Sequence, residues 1–166
     1  MKNGTTLLAA LALGSGLCAQ SASAIFYGTP CTFANQVVAS GIVGLPQVGT
    51  TFSLQYAGPL GTTQQAIVPV LALGLQPAAV PIPGTLFPLQ PANCTQWLAP
   101  DALFTMPSLP SGGYQTTQLI TVPLQPTLMG FHFHAQWFAA VIPCGTVGCS
   151  LGAVLASDAV ALTVGT

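Results

Sequence analysis

The sequence predicts an all-β fold, an antiparallel β-sandwich of about seven or eight short strands, and three observations carry that expectation. First, 15 prolines and 18 glycines punctuate the chain, leaving little room for helices of ordinary length. Second, the runs between them are rich in β-branched and aromatic residues. The cleanest is Thr51-Phe52-Ser53-Leu54-Gln55-Tyr56, where every second residue is apolar and aromatic or aliphatic, the period of a half-buried strand. Third, four cysteines follow an export-type leader, an even number that reads as a disulfide framework.

The leader occupies residues 1–24. Lys2 supplies a positive start, Leu7 to Leu13 a short apolar run, and Ala22-Ser23-Ala24 a small-residue cleavage site. The apolar run is well short of the roughly 20 residues a spanning helix needs. Cys18 follows Leu17 rather than the small residue a lipid-attachment signal prefers, so it is expected to leave with the leader. Residues 25–166 then form a single domain. Strands are expected over 36–42, 51–56, 66–73, 102–106, 114–122, 130–142 and 159–164. Turn signals separate them at Gly44-Leu45-Pro46, Gly58-Pro59, Pro83-Gly84, Ser111-Gly112-Gly113 and Pro143 to Gly148. Pro69 interrupts one apolar run and predicts an edge strand or a bulge there. The proline-rich stretch 75–91 carries Val80, Ile82, Leu86, Phe87 and Leu89, so it is expected to be an ordered, extended crossover lying on the sandwich rather than a solvated linker.

Charge excludes more than any motif includes. Lys2 is the one cationic residue among lysines and arginines, and Asp101 and Asp158 are the only acidic side chains. A domain beginning at residue 25 therefore has nothing with which to neutralise phosphates, which excludes nucleic acid and anionic membrane surfaces as partners. It also lacks arginine clamps and lysine nucleophiles. Near-zero net charge gives little colloidal repulsion and favours self-association or a neutral glycan or envelope partner.

The chemistry-bearing patterns are sparse. Gly148-Cys149-Ser150-Leu151-Gly152 has the letters of a nucleophile elbow. That elbow needs a strand-to-helix turn and a histidine later in the chain, and both histidines come earlier. Asp101 and Asp158 would both have to serve any two-carboxylate mechanism, and nothing in the sequence brings them together. His132-Phe133-His134 is the most suggestive pair, since residues i and i+2 of a strand share a face. His132, His134 and Gln136 would line one face, opposite an aromatic core face with Phe133 and Trp137. Two histidines can begin a metal site, but a third ligand must come from elsewhere, so no metal or other cofactor is assigned. Trp97, in a loop-rich stretch, is the best candidate among Trp137, Tyr27, Tyr56 and Tyr114 for stacking against a neutral sugar. The binding candidates are therefore Trp97, His132, His134 and Gln136, on a chain expected not to be an enzyme. Cys31, Cys94, Cys144 and Cys149 allow three disulfide pairings, and the tight loop between Cys144 and Cys149 favours joining those two.

Several segments together resemble a C-terminal all-β module of large secreted proteins of planctomycete-type bacteria. They are Tyr27-Gly28 with Cys31; Gly44-Leu45-Pro46 and Gly49 with Phe52; Leu71-Ala72-Leu73-Gly74; and Pro83 to Leu89 before Cys94. Ile120 to Pro123, Met129-Gly130 leading into Ala135-Gln136-Trp137, and Ser157 to Val164 complete the likeness. It spans nearly all of 26–165. The resemblance implies an exported all-β domain without assigned catalytic residues, and its first and middle cysteines favour the pairing of Cys31 with Cys94. His132 and His134 depart from it, standing where such modules have a small or aromatic residue, which argues against an inherited metal site.

Overall fold

The computed structural model describes residues 20–109, 114–146 and 148–166. Cys18, most of the expected leader and the Ser111-Gly112-Gly113 turn lie outside the described residues. The fold is all-β, with antiparallel sheets packed as a sandwich. Its strands are β1 (Ser23–Tyr27), β2 (Thr32–Phe33), β3 (Gln36–Val37), β4 (Ala39–Val43), β5 (Thr51–Ala57), β6 (Gln65–Gly74) and β7 (Gln76–Pro81). They continue with β8 (Thr95–Ala99), β9 (Ala102–Thr105), β10 (Gln115–Thr121), β11 (His132–Gly145), β12 (Gly148–Cys149) and β13 (Ala153–Thr163).

The large sheet runs in the order β1-β13-β11-β6-β9, with β12 paired to the end of β11; the small sheet runs β10-β5-β4. Between them Phe52, Leu54 and Tyr56 of β5 meet Leu71, Trp137, Val141, Leu155 and Leu162 of the large sheet, all buried. The Tyr56 and Trp137 rings meet edge to face, centroids 5.8 Å apart. The alternation of β5 is what aims its aromatic residues into this core.

All seven expected strands are present, some with shifted ends. The 36–42 run is divided by buried Val38 into β3 and β4, and the 159–164 run extends back to Ala153. Pro69 does not mark an edge or a bulge: β6 lies between β11 and β9, and its register with β11 passes through Pro69↔Ala139 unbroken. The Pro69 carbonyl accepts the Met106 N–H at 2.9 Å, and the nitrogen of a strand residue points to the same side as its carbonyl. The missing donor therefore faces the finish of β9, where the ladder is closing, and leaves the β11 side intact.

The 75–91 stretch is ordered, and its first part is a strand. β7 pairs with β8 as a separate ribbon, its register shifted between Pro77 and Val80, and this ribbon lies on the outer face of the large sheet as a third layer. It comes close: a Cβ on Gly74 would stand 2.0 Å from the Ala99 carbonyl oxygen, so only glycine admits β8 over β6 there. Ser23 and Ala24, at the expected cleavage site, belong to β1 and pair with Thr163 and Leu162. The Gln20 carbonyl also accepts the Thr166 N–H at 3.1 Å. Small alternating residues suit a sheet edge and a peptidase site equally.

Both expected disulfides form, Cys31–Cys94 and Cys144–Cys149. They point to an oxidising extracellular environment, and among the described residues no helix is long and apolar enough to cross a membrane. The first bridge closes a sequence separation of 63 and the second one of 5. Chain entropy then assigns about 4 kcal/mol to the first and about 2 kcal/mol to the second. Denaturant titration of the Cys31→Ser/Cys94→Ser and Cys144→Ser/Cys149→Ser variants is expected to show that order; equal losses would contradict it.

Candidate functional site

Register across the large sheet gathers the sequence-predicted residues on its outer face. Tyr27 pairs with Ala159, which pairs with Gln136; Ile25 pairs with Ala161, which pairs with His134; and Ser23 pairs with Thr163, which pairs with His132. Paired residues share a face. His132, His134 and Gln136 therefore do line one side of β11, as the period of two predicts. Gln136 is not open to a ligand, however. It is fully buried beneath β8, where its Oε1 accepts the Trp97 N–H at 2.8 Å and its Nε2 donates to the Ser157 carbonyl at 2.8 Å and the Thr95 carbonyl at 3.1 Å. Every strong hydrogen-bonding position of that amide is spent on backbone, so Gln136 is the rivet that fastens the ribbon to the sheet.

A second buried amide repeats the device. Gln90 Nε2 donates to the Val154 carbonyl and its Oε1 accepts the Val154 N–H, both at 2.8 Å. The side chain thus pairs with β13 as a strand residue would.

Trp97 is partly buried. Its indole N–H donates to the Thr29 carbonyl at 3.2 Å, and a Cβ on Gly28 would stand 2.5 Å from the ring. One face of the indole is therefore spent on the Gly28 backbone, where φ of +80° already favours glycine. The Tyr27 hydroxyl donates to the Trp97 carbonyl at 3.1 Å and lies 2.9 Å from His134 Nδ1. His132 Nδ1 lies 2.8 Å from Thr163 Oγ1 on the same open face. Burial, and secondarily the neighbouring His132, hold the His134 imidazole below its ordinary pKa.

Next to Gln136 the β11–β13 register shifts: Gln136 faces Ala159 but Phe138 faces Ala156. Across this bulge Ser157 Oγ accepts the Trp137 N–H at 3.0 Å in place of a ladder carbonyl. Ser157 Oγ is also 2.7 Å from Ser40 Oγ, and Asp158 Oδ1 accepts the Ser40 N–H at 2.9 Å. These contacts join β13 to β4 of the small sheet. Alternation along β11 sends consecutive residues Gln136 and Trp137 to opposite faces, one under the ribbon and one in the core, while the bulge lies in the facing strand β13.

The remaining motifs stay apart. Asp101 Oδ2 accepts the Leu75 N–H, far in the fold from the Ser40 contact of Asp158. Ser150 is exposed between β12 and β13, with a strand and not a helix after it. Among the described residues no three His, Cys, Asp or Glu side chains cluster as a metal centre. No protein-family model, curated protein or solved structure matches this chain.

The feature that sequence reading missed is an apolar groove of about 450 Å³ on the same outer face, walled by the ribbon. Its floor is Val70, Phe138, Ala140 and Val154; Val80 and Ile82 form one side and Leu103 of β9 the other. The signal was present in the apolar residues of 75–91, but only the pairing of β7 with β8 shows which sheet face they wall.

Gln136→Leu strands the Trp97 N–H and two carbonyls. With each unpaired buried group costing about 1–3 kcal/mol, a loss of about 3 kcal/mol is expected, accompanied by faster hydrogen exchange at Trp97. Unchanged exchange there would contradict the rivet role.

The Asp158 carboxyl is pushed above its ordinary pKa by burial, against the lowering pull of the Ser40 hydrogen bonds. A raised carboxyl pKa means that the folded state holds the proton more tightly. Its contribution is present below the unfolded value of about 4 and is lost as pH rises through the folded value. The stability of Asp158→Asn minus that of the parent is therefore expected to shrink as pH falls from 7 towards 4 in parallel thermal melts. A difference that stays flat or grows would contradict this.

Proposed function

We propose that this chain is a non-enzymatic exported structural or interaction module that works at the cell surface or in the extracellular matrix by associating with copies of itself. The observation that carries the reading is the apolar groove lying beside an unguarded sheet edge. Leu103 is 62% exposed, Leu86 58% and Val80 53%, all lining the groove. β9 forms the margin of the large sheet, with no strand on its other side among the described residues. Natural edges are commonly guarded by shortness, lysine, inward charges or bulges; β9, the four residues Ala-Leu-Phe-Thr, is short but carries no charge and no bulge.

A second copy is the occupant that suits this surface. Beyond Lys2 the chain has no lysine or arginine, so two copies meet with almost no charge to desolvate. Burying the three exposed side chains contributes about 2 kcal/mol each. That total reaches only the lower part of the cost of association, about 4–15 kcal/mol. Backbone pairing along β9 supplies a further, directional contribution. The leader-like composition of 1–24 and the resemblance to modules of large secreted proteins agree with export.

Light scattering and sedimentation of the exported protein test this. Assembly beyond the monomer is expected, with Leu103→Lys or Leu86→Lys returning it to a monomer at unchanged melting temperature. A strictly monomeric parent that also binds no envelope fraction overturns the reading.

A further inference from the structure

The open part of the outer face carries a second feature independent of the groove. We propose that His132 and His134 form a two-imidazole binding site for a divalent copper ion, with water completing its coordination.

The two residues stand at i and i+2 of β11, so their Cα atoms are about 7 Å apart on one face. Both side chains lean the same way, across β13. His132 meets Thr163 directly opposite it, and His134 reaches over Ala161 to Tyr27 on β1, the two rings 5.6 Å apart and edge-on. The small Ala161 leaves His134 the room to do so.

Hydrogen bonding fixes the His134 tautomer. The Tyr27 hydroxyl has one proton, and the Trp97 carbonyl, which can only accept, takes it. The Tyr27 oxygen then accepts from His134 Nδ1–H, so neutral His134 keeps its lone pair on Nε2. His132 is held by the same atom, Nδ1 against Thr163 Oγ1, and Thr163 can accept that proton equally well. Among the described residues neither Nε2 has a protein partner. Anchoring the far ring nitrogen by an oxygen acceptor is the usual way a protein orients a metal-binding imidazole.

The choice of ion follows from the donors. Two imidazole nitrogens plus water suit the tetragonal preference of Cu²⁺, which also heads the affinity order for nitrogen ligands. Zn²⁺ generally takes three or four protein ligands, and no third His, Cys, Asp or Glu joins this pair among the described residues. No lysine or arginine follows Lys2 to repel a dication, and His132 is exposed, which leaves room for the water ligands.

The test uses the chelator-treated exported protein titrated with Cu²⁺ alone, followed by calorimetry and by electron paramagnetic resonance. One equivalent is expected, with two equatorial imidazole nitrogens in the pulsed spectrum and affinity for Zn²⁺ at least tenfold weaker. His132→Gln and His134→Gln are each expected to weaken Cu²⁺ at least tenfold, and Tyr27→Phe to weaken it about tenfold with the stoichiometry kept. His132 is exposed, so its variant keeps the parent melting temperature and separates loss of a ligand from loss of fold. No binding by the parent, a spectrum without two imidazole nitrogens, or equal affinity in the doubly substituted His132→Gln/His134→Gln protein overturns the proposal.

Discussion

The fold depends on one buried amide. Gln136 holds the backbone of β8 with one end and that of β8 and β13 with the other, which sets where the proline-rich ribbon lies on the large sheet. A carboxylate or ammonium group at the same place would carry a desolvation cost of several kcal/mol. A neutral amide with both ends satisfied escapes it. A chain almost without charge therefore builds its polar joints from glutamine and serine. Gln90 repeats the device against Val154, and the Cys31–Cys94 bridge ties down the same ribbon one residue before Thr95. Trp97, Tyr27 and His134 take their positions from the place this joint gives to β8.

The bulge at Ser157 of β13, whose carbonyl accepts from Gln136 Nε2, is the other half of that joint. Strict alternation along β11, whose register with β6 runs unbroken from His134 to Pro143, sends adjacent residues 136 and 137 to opposite faces and so into two different interiors. The extra residue lies in the facing strand β13, where the Ser157 hydroxyl takes the place of a ladder carbonyl as acceptor for the Trp137 N–H. The same serine touches Ser40, so this irregularity in β13 also ties the small sheet to the large one.

What was legible in the sequence was what a period of two encodes. Phe52, Leu54 and Tyr56 announced β5, and the His132, His134, Gln136 face of β11 was read correctly from spacing alone. Three kinds of feature were hidden. β1 was masked because Ala22-Ser23-Ala24 reads as a cleavage site. β7 was read only as an extended crossover, because Pro77 and Pro81 interrupt the alternation that marks a strand. The β2–β3 turn was masked because Ala34 and Asn35 adopt left-handed conformations, φ +47° and +62°, without the Asn-Gly pair that advertises such a turn. At the candidate site, spacing gave the shared face of His132, His134 and Gln136 but not their different depths. Depth is set by β8, a strand remote in sequence, and no local pattern on β11 records where β8 lies.

Neutrality links the architecture to the surface it exposes. Most globular domains separate an apolar interior from a charged exterior and use those charges to guard their sheet edges. With Lys and Arg absent after Lys2, edge strands such as β9 and β1 keep their unpaired backbone groups beside exposed Leu103, Phe104, Ile25 and Phe26. Proline and the Cys31–Cys94 disulfide help to hold that surface out to solvent, since the ribbon cannot collapse into its own groove while Gln90, Gln136 and Cys94 fix it. A surface kept open by such constraints gains most by meeting another uncharged surface, because neither partner gives up hydrated ions when water leaves. Only His132 and His134 can bring positive charge to that outer face, and they face β1 across β13, away from the groove walled by Val80 and Leu103. Apolar contact and imidazole chemistry thus occupy separate parts of one face, with the Gln136 joint between them.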